Sequence, residues 1–128
     1  MINESNRNSE SEDRLVYDIT NQPIKSLENR IENIQNDLQA RQKLSDKILS
    51  QLLTEKIQLE ERLKRASYQA NLTGQTKRET ELSQRLANLQ ENISKEELSS
   101  FNDLSSLKEK LQEAKEELET EKLSRRLF

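Results

Sequence analysis

The sequence predicts an all-α protein, an elongated coiled coil of long helices with a disordered N-terminal tail, and three observations carry that expectation. Of 128 residues, 30% are hydrophobic, 3% aromatic and 35% charged, so the apolar side chains suffice for a narrow seam and not for a thick core. Ile24, Leu27, Ile31, Ile34 and Leu38 are spaced three, four, three and four apart, the a and d positions of a heptad repeat. The only glycine, Gly74, lies in NLTGQTKRE between two stretches of about fifty residues that both read as helical.

Residues 1–14 are rich in Ser, Asn and Glu, a composition that cannot repay the entropy of folding, and form the expected tail. A short apolar segment over 15–22 contains LVYDI and then TNQP, where Pro23 suits the first turn of a helix and Thr20, Asn21 or Gln22 can cap it. Coiled-coil helix 1 is expected over 23–73. Its oligomerisation seam runs through Ile24, Leu27, Ile31, Ile34 and Leu38, meets polar interruptions at Arg41, Ser45 and Glu55, and includes Ile48, Leu52 and Leu59. Leu44, Leu49, Leu53 and Ile57 lie outside that seam and widen the apolar face, as three or four packed helices or an additional partner would require. A stutter at Leu63 then shifts the frame to Leu63, Ala66, Ala70 and Thr73.

Residues 74–76 are the break or hinge, and coiled-coil helix 2 follows over 77–127. Its seam reads Leu82, Leu86, Leu89 and Ile93, then slips before Leu104, Leu107, Leu111, Ala114 and Leu118, which makes SSFNDLSS at 99–106 a candidate discontinuity. Two connections are open at Gly74. The first is a nearly continuous helix in a parallel dimer, because one glycine inside a helix costs only about 1 kcal/mol relative to alanine. The alternative is an antiparallel helical hairpin, with Gly74 in the left-handed conformation after helix 1 and Thr76-x-x-Glu79 as a capping box for helix 2. Lys110 at g and Lys115 at e would meet in a parallel in-register homodimer, a small charge against that arrangement.

Zero cysteine and zero histidine remove disulfides, thiol chemistry and the commonest acid–base group and metal ligand, and one glycine cannot build a phosphate-cradling loop. Glu60 and Glu61, or Glu116 and Glu117, are adjacent on a helix and point to different sectors of its surface. The expectation is therefore a non-enzyme with no catalytic residues, no metal site and no cofactor. A net charge of -3 lacks the basic footprint of a nucleic-acid binder, although Arg62, Lys64, Arg65, Lys77 and Arg78 form a modest positive patch. No apolar run approaches the length of a membrane span, and MINESNRNSE has no signal-peptide core. An intracellular, cytoplasmic more than nuclear location is expected, so the N-x-S/T patterns at Asn3, Asn71 and Asn92 read as chance matches.

Three stretches could carry recognition. Leu15, Val16, Tyr17 and Ile19 could add as a strand to a partner or dock in its groove. Leu49, Leu53, Ile57 and Leu59 resemble the spacing of a nuclear export signal, while burial in the widened seam is the competing reading. Arg125, Leu127 and Phe128 in the terminal SRRLF resemble the R-x-L-F docking motif of cyclin-binding proteins, which implies a cyclin as partner. The expected function is a coiled-coil scaffold or adaptor subunit that oligomerises, with itself as a dimer or with another helical protein, and tethers or spaces partners in an assembly such as the cytoskeleton. The alternatives are a regulator presenting Leu53 and Ile57 to a small GTPase, as exchange factors do, and the cyclin ligand.

Overall fold

In the computed structural model the described residues are 2–127 for the backbone and 22–126 for the side chains. The chain is all-α, with helix α1 at Ile2–Thr73 and helix α2 at Lys77–Leu127 packed against each other as a hairpin. The side chains of the expected disordered tail and of Leu15, Val16, Tyr17 and Ile19 lie outside the described residues, as do those of Leu127 and Phe128. Pro23 lies inside α1 rather than at its first turn. Its ring removes one backbone donor there.

The connection is the turn and not the continuous helix. Gly74 has φ 76, and its N–H donates to the Ala70 carbonyl at 2.8 Å, the single bond of a left-handed C-terminal cap. The Thr73 hydroxyl closes the end from the other side, donating to the Gln69 carbonyl at 2.9 Å and accepting the Gln75 N–H at 3.3 Å. Across the turn, the Thr76 carbonyl accepts the Thr80 N–H at 3.0 Å and opens α2, with Glu79 favourably placed in its first turn. The side-chain bonds of the expected capping box are not made: neither the Thr76 hydroxyl nor the Glu79 carboxylate is hydrogen-bonded among the described residues.

The straight-through reading fails on helical phase. Ala70, the last buried position of α1, and Leu82, the first of α2, are twelve residues apart. At 3.6 residues per turn a continuous helix would set their two seams about 120° apart, so one partner could not cover both. Turning at Gly74 frees α2 to rotate its seam back onto α1. Gly74→Ala is expected to lower stability by about 1–2 kcal/mol, because an L-residue pays for the left-handed conformation. Nothing lies within 4 Å of an added Cβ, so the loss in a urea titration should come from the backbone alone, without a change in fold.

Two compact units divide the chain. Met1–Asp37 with Leu107–Phe128 form one, and Leu38–Ser106 form the other. In the first, Ile24, Leu27, Ile31 and Ile34 are half-buried, as are Leu107, Leu111 and Leu118, and Ala114 is buried. Arg30 Nη1 meets Glu117 Oε2 at 3.4 Å on its half-exposed surface. Pairs of this kind contribute about 0.2–1 kcal/mol.

In the second unit the buried apolar side chains are Ala66, Ala70, Leu82, Leu89 and Ile93, with Leu38, Ile48, Leu52, Leu59, Leu63, Leu86 and Leu104 half-buried around them. Of two expected frame breaks, one moves and the other leaves the helix whole. The stutter of α1 falls at Ile48, Leu52 and Lys56 rather than at Leu63, since the Lys56 stem is half-buried and Glu55 is exposed. In α2 the candidate discontinuity at 99–106 is absent: the helix is unbroken, and Glu96, Ser100 and Leu104 carry the seam through in steps of four. Two successive four-residue steps hold the contact face while the supercoil locally unwinds.

Candidate functional site

The least apolar part of the second unit is a polar layer built across the two helices. Extending the α1 heptads brings Arg41 and Ser45 to the seam, and the steps of four in α2 bring Glu96 and Ser100 to it. Ser45 is 2% exposed and Ser100 is also buried. Arg41 Nη1 donates to Glu96 Oε1 at 3.2 Å, and Arg41 Nε donates to Asp103 Oδ2 at 2.8 Å. The side chains of Arg41 and Glu96 are mostly covered, while Asp103 is more than half exposed.

One cation thus bridges two carboxylates seven residues apart on the facing helix. The Asp103 hydrogen bond holds the Arg41 guanidinium above the ordinary arginine range, burial opposes it, and Glu96 adds in the same direction. A pKa raised in the folded state gives stability that is complete below the unfolded pKa and is lost only as pH rises through the folded one. For Arg41 that window lies at strongly alkaline pH, so arginine titration does not weaken the clamp near neutrality. Chemically the layer is a register lock. Sliding α2 along α1 by a turn would leave covered charge without its partner, the best-attested use of polar groups in a helical seam. Arg41→Met is expected to lower the thermal midpoint and to flatten its dependence on added salt; a midpoint and salt response equal to the parent's would remove the clamp's role.

The other anticipated residues fall into two groups. The seam residues face the partner helix of the same chain. Leu53 and Ile57 do not: they remain 47% and 59% exposed on the outer side of α1. Arg125 is half-buried, and its Nε donates to Glu121 Oε1 at 3.3 Å along the same helix. Tyr68, Leu98 and Phe101 are also exposed and were not among the anticipated binding residues.

Sequence reasoning marked Arg41 and Ser45 only as interruptions and missed Glu96, Ser100 and Asp103. The available signal was the continuation of the α2 frame from Ile93 to Leu104 through positions 96 and 100. Among the described residues no group of His, Cys, Asp or Glu side chains could hold a metal ion, no buried side-chain polar atom lacks a hydrogen-bond partner, and no helix is long and apolar enough to cross a membrane. Comparison with known protein families, with curated proteins and with solved structures finds no match to this chain.

Proposed function

We propose that this chain is a non-catalytic scaffold or adaptor, a helical hairpin that holds partner-binding segments in a fixed relation. The observation that carries this reading is that residues 22–37 and 107–126 pack into one unit, which the segments before residue 22 and after residue 126 adjoin in the sequence. Segments bearing Leu15, Val16, Tyr17 and Ile19 and the terminal Arg125, Leu127 and Phe128 are then presented by the same unit. Presenting two weak binding segments from one support raises the effective concentration of the second once the first is engaged, which is how an adaptor gains avidity without a deep site. The absence of cysteine and histidine from the sequence and the polar, open surface support a binding rather than a chemical role. A cytoplasmic assembly is the setting proposed for it.

The test is affinity purification with quantitative mass spectrometry, using the full chain, two variants and their combination. One replaces Leu15, Val16, Tyr17 and Ile19 by serine, the other Leu127 and Phe128 by alanine. Adaptor function predicts a shared partner set that is diminished by either change and lost with both, at unchanged helicity by circular dichroism. Identical recovery with all variants would sink the terminal-docking reading.

A further inference from the structure

The outer side of α1 in the second unit carries an apolar pair that the hairpin does not use. Leu53 and Ile57 each follow a seam residue, Leu52 and Lys56, and project past the seam to the surface. Asp46 and Lys64 stand in the same row, because the spacings Asp46 to Leu53, Leu53 to Ile57 and Ile57 to Lys64 are seven, four and seven residues. At about 100° per residue, all four lie within about 40° of one another on the helix. The row is also symmetric about position 55: Leu53 and Ile57 are two residues from it, Asp46 and Lys64 nine.

We infer that this row is a self-complementary interface, and that its occupant is α1 of a second copy of the chain, lying antiparallel across a twofold axis near residue 55. In that arrangement Leu53 packs on Ile57 of the other copy and Ile57 on its Leu53. Asp46 of each copy meets Lys64 of the other, so the apolar centre is closed at both ends by opposite charges. An isologous contact requires such pairing of one patch with itself. The single-chain structure leaves these charges available: Lys64 has no ion-pair partner among the described residues, and Asp46 only accepts a hydrogen bond from Gln42 Nε2 at 3.0 Å. Few apolar side chains are involved, so the contact lies below the standard interface of about 1,600 Å² and the dimer is expected to be weak, with Kd on the order of micromolar. Self-pairing extends the adaptor reading by doubling the number of displayed segments, yet it is tested without any partner, so either can fail alone.

Sedimentation equilibrium on the full chain should show mass rising from 15.0 kDa towards twice that value, over concentrations up to about 100 µM. Leu53→Glu with Ile57→Glu should hold the chain monomeric at unchanged helicity, whereas Leu44→Glu, on the opposite flank of the seam, should leave the dimer intact. Asp46→Lys or Lys64→Asp alone should weaken dimerisation about tenfold, from the reversal of two symmetry-related pairs, and the two together should restore it.

The chain has no native cysteine, so Leu53→Cys with Ile57→Cys offers a second readout. Positions four apart on one helix stand about 5–6 Å apart at Cβ, too far for an unstrained disulfide. Mild oxidation should therefore link two chains. A monomer throughout the range, a dimer indifferent to Leu53→Glu with Ile57→Glu, failure of the double charge reversal to restore pairing, or no crosslinked dimer would each overturn the proposal and leave the row to a different occupant.

Discussion

Deleting Gly74 is expected to convert the hairpin into a continuous helix that folds only by pairing with a second chain. The deletion changes two things together. It removes the residue that adopts φ 76 and accepts the turn, and it shortens the spacing from Ala70 to Leu82 from twelve residues to eleven. Eleven residues are close to three full turns, so the two seams come within about 20° of each other on one helix. Each half must then find its complement in another molecule. The pairing that keeps Arg41 with Glu96 and Asp103 is antiparallel, with α1 of one chain on α2 of the next.

A thermal midpoint that rises with protein concentration, together with a doubled mass, would mark the conversion, because folding and association are then one equilibrium. Carrying Leu53→Glu and Ile57→Glu in the same chain keeps the outer row from contributing. Gly74→Ala is the control, since it leaves the twelve-residue spacing and so the reason to turn. A deletion variant that stays monomeric, with a concentration-independent midpoint, would show that Gln75 and Thr76 alone can close the hairpin and that seam phase is not what selects it.

Leu89→Ala is expected to cost about 2–3 kcal/mol of unfolding free energy in a denaturant titration, the lower part of the range for buried leucines because a two-helix seam can partly collapse around the loss. Leu89 is one of the few large side chains buried in its unit, beside Leu82 and Ile93, while much of the remaining seam is half-buried or alanine. Stability in so thin a core is concentrated in those positions. Leu98→Ala removes the same atoms from an exposed site, and its effect should stay within about 0.5 kcal/mol. Equal losses at the two positions would mean that burial in this seam does not govern the stability of the fold.

Part of the candidate site is legible in the amino-acid sequence. The heptad frame that runs from Ile24 to Leu38 places Arg41 and Ser45 at seam positions by counting alone. What an arginine at a d position does there depends on its opposite number. Its partners, Glu96 and Asp103, are 55 and 62 residues away in the chain, and no local pattern reaches that far. Leu53 and Ile57 are ambiguous for a similar reason: their spacing is compatible with a widened seam or with an outer row, and their exposure separates the two only when α2 is in place.

The helical secondary structure and the apolar part of the seam are legible in the amino-acid order, because helical periodicity, a near-absence of glycine and proline, and an apolar content of 30% act locally along the chain. That order also contains the phase offset across NLTGQTKRE that excludes a straight path. That α1 pairs with α2 of its own chain, with Arg41 against Glu96 and Asp103, and that Leu53 and Ile57 remain outside, is visible only in the folded chain. Pairing depends on complementarity between segments far apart in sequence, and that energy exists only when the two faces are brought together.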